Sequence, residues 1–192
     1  MIFFKTVTID EALKRMIDSF KEFNLPCEWV EIGDASGRIL AQDCISNCMV
    51  PAFSRSTVDG YAVNCTDTYG AGEAIPSILN MVGRVSMGRR AEGTAGDGKA
   101  IYVPTGGMLP EGVNAVVMIE HCDLMSSDIL AVHKAVRNGE NVVQAGDDII
   151  TGNIIVKKGT TITFKEIGVM SASGVSKVCV YKKLRFSVIS TG

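Results

Sequence analysis

The 192-residue chain is 46% hydrophobic and 21% charged, a composition typical of a globular protein that buries a core without disulfides or metals. Its net charge of -2 offers no bulk attraction to nucleic acid, so an anionic ligand needs a local cluster of positive charge. No apolar run approaches the roughly 20 residues that span a membrane, and the N-terminus lacks the features of a signal peptide, so we expect no membrane partner.

The cysteines and histidines offer little for metal chemistry. Of the six scattered cysteines, Cys44 and Cys48 are the closest pair, whereas a zinc site needs about four well-spaced ligands. Reduced thiols in a cytoplasmic protein are therefore the favoured interpretation. His121 and His133 are interpreted as surface or structural residues, because no nucleophile signature accompanies them.

The N-terminal segment has the pattern of one amphipathic helix. Thr8 and Glu11 form a capping box, in which each side chain satisfies a free backbone donor of the other residue. Apolar residues then recur at helical spacing, and Pro26 disfavours helical geometry in the residue before it. We expect a helix over residues 9–23. The strands expected next are 29–32 and 39–45.

From Asn47 to about Gly139, glycines are frequent and helical periodicity vanishes. Short β-rich runs recur between turn signals such as Asp59-Gly60. This pattern favours a compact β domain, either a small barrel or a sandwich. The runs expected as strands are 61–63, 78–85, 100–103, 115–119 and 129–136.

One glycine-rich run, from Gly93 to Lys99, has the spacing of a phosphate-binding P-loop. The next residue is Ala100, where a P-loop has a magnesium-binding Ser or Thr, and the following segment has the pattern of a strand rather than a helix. Without a helix N-terminus there is no concentrated set of free N–H donors for a phosphate. The run is therefore interpreted as a β-turn.

The C-terminal part mixes helix and strand signals. Residues 153–156 and 160–163 flank a Lys-Lys-Gly turn like a hairpin. Thr163 and Glu166 form a second capping box, and Gly174 suits the end of the helix that follows. A strand is expected at 177–181. A second, at 184–190, is apolar throughout, as in a parallel sheet buried on both faces. Because no sheet follows it, we expect the chain to be incomplete.

The most informative run is V-P-A-F-S-R-S-T-V-D-G-Y-A-V at residues 50–63. Asp59-Gly60 suits a tight turn into a strand, so a turn-forming aspartate is one interpretation of Asp59. The run is similar to the P-x-F-x-x-S-x-x-D-G-Y-A-V signature of the MoeA/gephyrin E-domain family. Residues 103–120 resemble that family's T-G-x-x-x-P-x-G-x-x-A-V-V-x-x-E stretch. Residues 140–149 resemble its N-x-R-x-x-G-E-D-I stretch.

The resemblance covers almost the whole chain and implies an α+β, mostly β fold. It implies a discontinuous α/β outer domain, residues 1–48 and 141–182, used for linkage and dimerisation. The inserted small β-barrel-like domain is expected at 49–140. Residues 183–192 are expected to be the first strand of an absent α/β nucleotide-binding domain.

In this family, molybdate is inserted into adenylated molybdopterin with release of AMP, and Mg²⁺ is required. The resemblance therefore implies a molybdenumtransferase as the full-length protein, with adenylated molybdopterin and molybdate as ligands. It also implies a homodimer. We expect the present chain to be inactive alone, because much of the site would lie in the absent domain. A stand-alone dimerisation or interaction module without chemistry is the competing hypothesis.

Four residues are candidates for the site on the strength of the resemblance. Asp59 and Asp148 are candidate catalytic residues that help to position magnesium or the nucleotide. Thr105 is a candidate cofactor-binding residue through its hydroxyl, and Gly106 through close backbone approach. Turn and interdomain geometry would explain the same four residues, and that alternative stays open. No metal ligands are assigned.

The chain departs from the family pattern in one motif. Val143, Gln144 and Ala145 stand where family members carry arginine, and Asp147 replaces a glutamate. Losing an arginine removes a forked, permanently charged contact to an anion. Five local positive charges remain, and they suit either an anion site or a solvated surface. They are Arg55, Arg84, Arg89, Arg90 and Lys99.

Overall fold

The structure is a computed structural model that describes residues 6–21, 24–91, 93–188 and 190. The chain divides into two compact units. The first contains Met1–Cys44, Val156–Ser171 and Val175–Gly192, and the second contains Ile45–Ile155 and Ala172–Gly174. The predicted domain boundaries stay predictions, which limited proteolysis can test. None of the helices in the described residues has the length and apolar character needed to cross a bilayer.

The described residues form short strands and two helices, joined by turns and three short 3-10 segments. The helices are α1 (Ile9–Phe20) and α2 (Phe164–Ala172). The strands are β1 (Cys27–Glu31), β2 (Cys44–Ile45), β3 (Arg55–Ser56), β4 (Gly60–Val63), β5 (Ser77–Arg84), β6 (Lys99–Val103), β7 (Ala115–Met118), β8 (Cys122–Leu124), β9 (Ile129–Val132), β10 (Val142–Val143), β11 (Ile154–Val156) and β12 (Lys177–Tyr181).

The largest sheet of the second unit is curled and has six strands, in the order β7-β4-β6-β5-β9-β8. Its neighbours are antiparallel except β5 and β6, which run parallel with an irregularity between Met81 and Gly83. Two further strands, β3 and β10, pair separately. This mostly β architecture with a curled, barrel-like sheet confirms the predicted fold class.

Both faces of this sheet are packed, because successive side chains of a strand point to opposite faces. Tyr61 and Val63 of β4 join one core cluster, while Ala62 between them joins the other. On β6, Ile101 and Val103 lie with Ala62. All of β4 is consequently buried, which places the residues just before it at a fixed edge of the sheet.

In the first unit, β1 pairs antiparallel with β12, and Trp29 lies opposite Cys179. Arg38 donates to the Glu28 carboxylate and, at 2.8 Å, to the Tyr181 carbonyl. The Arg38 hydrogen bond holds the pKa of Glu28 below its ordinary value. Helix α1 has the predicted Thr8 cap, but none of its residues is buried. It ends at Phe20 rather than at residue 23, and residues 22 and 23 lie outside the described part.

Two predicted strand arrangements are wrong. Residues 153–156 and 160–163 do not form a hairpin, because β11 pairs with β2 and Thr161 bridges Ile39. Each flank of the Lys-Lys-Gly turn thus takes its partner from the N-terminal segment. Residues 184–188 and 190 belong to no strand, since they pair with no neighbour in the described part of the chain. Residues 189, 191 and 192 lie outside it.

Candidate functional site

Asp59 and Thr105 are in direct contact at the edge of the six-stranded sheet. Asp59 lies immediately before β4, and Thr105 follows β6, which pairs with β4. The Asp59 Oδ1 atom accepts the Thr105 backbone N–H at 2.8 Å and the Thr105 hydroxyl at 3.3 Å. Both residues are exposed, so the contact lies at a solvent-accessible surface.

The two candidate cofactor-binding residues lie in one tight turn. The Gly107 N–H donates to the Pro104 carbonyl at 2.8 Å, and Gly106 between them has a φ of +79°. A positive φ at this position is the mark of a type II turn and favours glycine. A Cβ on Gly107 would lie 2.8 Å from the Pro104 oxygen, so this position also requires glycine.

Ser56 ties this turn to the segment before β4. Its carbonyl accepts the Gly106 N–H at 2.8 Å, and its own N–H donates to the Gly107 carbonyl at 3.0 Å. The buried Ser56 hydroxyl also bonds the backbone of Val58. Ser56 is the serine of the signature motif, and no role for it could be predicted from the sequence. The Thr105-Gly106 turn is therefore held from two sides, by Ser56 and Asp59.

Gly60 explains why glycine follows Asp59 in this motif. A Cβ at Gly60 would lie 2.0 Å from the Val117 carbonyl oxygen of the neighbouring strand. The φ of Gly60 is not positive, so close approach between strands requires glycine here rather than an unusual backbone angle. This close approach fixes the position of Asp59 relative to β7.

A second turn lies against the Thr105-Gly106 turn. The Arg89 N–H donates to the Ser86 carbonyl at 3.3 Å, and Gly88 has a φ of +73°. The Met87 methyl group of this turn would be 3.6 Å from a Cβ on Gly106. Between the two turns is a groove of about 430 Å³. It is lined by Ala52, Phe53, Ser86, Met87, Gly88, Arg89, Arg90, Gly106, Gly107 and Met108.

Asp148 lies in a different part of the second unit. Its backbone N–H donates to the Val50 carbonyl at 3.0 Å, at the start of the signature run. Its side chain is exposed. Within the described residues, no hydrogen bond joins Asp148 to Asp59 or Thr105. The structure thus brings together Asp59, Thr105 and Gly106, and it holds Asp148 by a separate set of contacts.

The motif that lacks the family arginine is organised by other polar groups. Asp147 accepts the Gln144 N–H at 2.7 Å, so its carboxylate closes a turn. The Ser54 hydroxyl donates to the Gln144 amide oxygen at 3.0 Å. Val143 pairs directly with Arg55 of β3. Side chains directly opposite each other on paired strands are close neighbours, so Arg55 supplies a positive charge beside Val143.

The P-loop-like run is a turn, as predicted. The Lys99 N–H donates to the Gly96 carbonyl at 3.2 Å, and β6 begins at Lys99. The Gly98 N–H donates to the Asp67 carboxylate at 2.8 Å. An acidic side chain therefore occupies a donor that a phosphate would need.

The residues present suit only a partial magnesium site. Within the described residues, no three His, Cys, Asp or Glu side chains converge to hold a metal ion. Magnesium in phosphate-handling sites is usually held by about one or two carboxylates, with waters and substrate phosphates completing its shell. Asp59 fits that limited role, because Thr105 donates to only one of its two carboxylate oxygens.

Comparison with known proteins identifies the family that this chain matches. Residues 7–174 match the family model of the MoeA N-terminal region, domain I and II. The chain is 31% identical over 189 residues to the molybdopterin molybdenumtransferase of Bacillus subtilis, covering 97% of this chain and 44% of that protein. It is 36% identical over 187 residues to a Methanocaldococcus jannaschii protein named for molybdopterin biosynthesis, covering 96% and 44%.

A solved structure gives the same result. The molybdopterin biosynthesis MoeA protein from Pyrococcus horikoshii superposes with a TM-score of 0.83 at 40% identity, covering 93% of this chain and 45% of that one. The chain thus spans a little under half the length of these relatives. The match confirms the resemblance inferred from the signature runs, and the chain belongs to the MoeA family, whose N-terminal region it matches.

Proposed function

We propose that this chain is the N-terminal portion of a cytoplasmic molybdopterin molybdenumtransferase, an enzyme that inserts molybdate into adenylated molybdopterin with release of AMP. Relatives from Bacillus subtilis and Haemophilus influenzae carry that enzyme name. One observation carries the proposal for this chain. The Asp59–Thr105 contact holds a glycine turn of the signature motifs at the rim of a groove that also contains Arg89 and Arg90.

Each residue of this turn has a distinct proposed role. Gly106 has no side chain, so a ligand in the groove can approach the backbone closely. The Thr105 hydroxyl is exposed and donates a hydrogen bond to Asp59. We propose that it donates to a bound ligand instead. Asp59 keeps one carboxylate oxygen for an added ligand, and we propose that this oxygen contributes to holding Mg²⁺. When bound, Mg²⁺ would offset negative charge on the substrate phosphates.

Asp148 has a weaker structural case than Asp59. Its exposed carboxylate accepts no hydrogen bond from the described residues, so it is available to a ligand or to another chain. Its backbone is held at Val50, at the other end of the signature run from Asp59. We propose that Asp148 acts at the edge of the same substrate surface, and a substitution there separates this role from a turn-forming one.

We also propose that the chemistry needs the part of the relatives that this chain does not match. The chain covers 44% of the Bacillus subtilis enzyme, and among the described residues the only polar side chains that line the groove are those of Ser86, Arg89 and Arg90. Nucleotide-handling α/β domains place their ligands beyond the carboxyl ends of their strands. The matched region would then supply one wall of the site.

A homodimer is part of the proposal. Helix α1 exposes Ile9, Leu13, Met16 and Ile17, whose side chains lie on one face at helical spacing. An apolar face of this kind marks an association surface. The same observation favours the second candidate function, a stand-alone dimerisation module without chemistry, so dimerisation alone does not separate the two.

An activity assay separates them. The chain is incubated with adenylated molybdopterin, Mg²⁺ and molybdate, and AMP release is measured beside the Bacillus subtilis enzyme as a positive control. A second sample is a chimaera in which this chain replaces the matched region of that enzyme. The proposal predicts AMP release by the chimaera and none by the chain alone. A folded, dimeric chimaera that releases no AMP would favour the stand-alone module.

A further inference from the structure

Three arginines surround a small concavity beside the groove. Its volume is about 90 Å³, and it is lined by Arg84, Val85, Ser86, Arg89 and Arg90. No acidic side chain lines it, and in the described part of the chain none of the three guanidinium groups forms an ion pair. Like charges gathered in one place repel one another, so this cluster favours a bound anion.

One arginine of the cluster is held by the sheet, and the other two follow it in a turn. Arg84 ends β5, and its guanidinium carbon lies 4.4 Å from the centre of the Tyr102 ring on β6. The Val85 N–H donates to the Tyr102 carbonyl at 2.8 Å. Arg89 follows at the turn that Ser86 closes. Stacking on an aromatic ring limits the conformations of an arginine, so less entropy is lost when Arg84 binds an anion.

We propose that Arg84, Arg89 and Arg90 bind one tetrahedral oxyanion, either a phosphate group of a larger ligand or free molybdate. Guanidinium groups match such oxyanions because their parallel N–H donors reach two oxygens at once. A concavity of about 90 Å³ has room for one such group and not for a nucleoside. The choice between these two ligands rests on the proposed function, whereas the charge cluster does not.

The position of the cluster suits an extended ligand. Ser86, Arg89 and Arg90 line both the small concavity and the larger groove, which continues to Gly106 and Gly107. A ligand with its phosphate among the arginines can therefore extend along the groove toward the Thr105-Gly106 turn. The arginines are exposed, so their attraction for an anion is screened by salt.

Nuclear magnetic resonance titration of the ¹⁵N-labelled chain at low ionic strength tests the site directly. Inorganic phosphate, molybdate and AMP are added separately, and the amide shifts are followed to saturation. We expect saturable changes centred on residues 84–90. Tighter binding of AMP than of phosphate, with changes reaching Gly106 and Gly107, assigns a phosphate ester. Tighter binding of molybdate than of phosphate or AMP assigns the metal oxyanion.

Matched variants complete the test. Replacing Arg89 and Arg90 together by glutamine should weaken binding by about tenfold or more, because charge-assisted hydrogen bonds are lost. Arg137→Gln removes one positive charge from an exposed position of the same unit, outside the cluster, and should leave the affinity unchanged. The inference is overturned if no probe gives saturable shifts near residues 84–90, or if Arg137→Gln weakens binding equally. Failure of the activity assay with intact anion binding would count against the proposed function alone.

Discussion

The Asp59 carboxylate accepts the Thr105 backbone N–H at 2.8 Å, across a sequence separation of 46 residues. This hydrogen bond links two of the signature runs and fixes the turn that contains Gly106. It also shows that Asp59 has a structural role, which is the alternative interpretation left open by the sequence. A structural role and a ligand-binding role are compatible, because only one carboxylate oxygen is engaged. Substitutions at Asp59 can separate them.

Asp59→Ala should lower the free energy of unfolding by about 1 kcal/mol, because the Thr105 N–H and hydroxyl in this exposed turn both lose the Asp59 carboxylate as their acceptor. Asp59→Asn should cost less, since the amide oxygen still accepts from the Thr105 N–H. Urea titrations of the two variants measure the difference. Equal stabilities for Asn and Ala variants would contradict a hydrogen-bonding role for this side chain.

Gly60→Ala should destabilise the second unit by about 3 kcal/mol, because the added Cβ cannot fit 2.0 Å from the Val117 oxygen without moving a strand. Gly83→Ala is the matched control. Gly83 lies in the same sheet with nothing within 4 Å of its added Cβ, so its effect should be small. Chemical denaturation gives both values, and similar losses at the two positions would refute the close-approach argument.

These two positions show what the sequence predicts and what it cannot. The signature run correctly predicted a strand after Asp59, but the tight turn predicted at Asp59-Gly60 is wrong, because residues 57–59 form a bend and Gly60 already lies in β4. Periodicity and turn signals located most strands of the six-stranded sheet, and the mostly β class followed from them. The reason for Gly60 is a contact with Val117 on another strand, and no local pattern carries that information.

The wrong prediction of a hairpin has a similar cause. Residues 153–163 have hairpin-like local signals, yet β11 pairs with β2, far away in the chain. The strand at Cys122–Leu124 was missed because its run is short and has a charged residue, Asp123, at its centre. In the site, Arg84 and Tyr102 meet through the parallel pairing of β5 and β6, which a sequence motif does not reveal.

The thiol of Cys122 should make the stability fall at alkaline pH. Burial, with a smaller contribution from Asp123, raises its pKa from 9.0 to about 12. A thiol whose pKa is higher in the folded state stabilises the fold fully at pH values below its unfolded-state pKa. That contribution is lost as the pH rises toward 12. The difference in unfolding free energy between wild type and Cys122→Ala should therefore shrink between about pH 9 and 12. A pH-independent difference would contradict the raised pKa.

The apolar face of α1 should carry the proposed dimer. Leu13→Gln should shift the chain toward monomer in multi-angle light scattering at tens of micromolar, since Leu13 is 54% exposed on that face. Lys14→Gln, one residue away and off the apolar face, should leave the dimer intact. A wild-type chain that is monomeric under these conditions would contradict the proposal.

The most direct measurement is the yield of AMP and active cofactor from the chimaera with the Bacillus subtilis enzyme, before and after Asp59→Asn. Asparagine keeps the acceptor for Thr105 and removes the charge, so a fold-only role for Asp59 predicts unchanged rates. We predict an active wild-type chimaera and a loss of about tenfold or more in Asp59→Asn, because a charged ligand contact is removed. Unchanged rates in Asp59→Asn would leave Asp59 as a turn residue and contradict its placement in the substrate site.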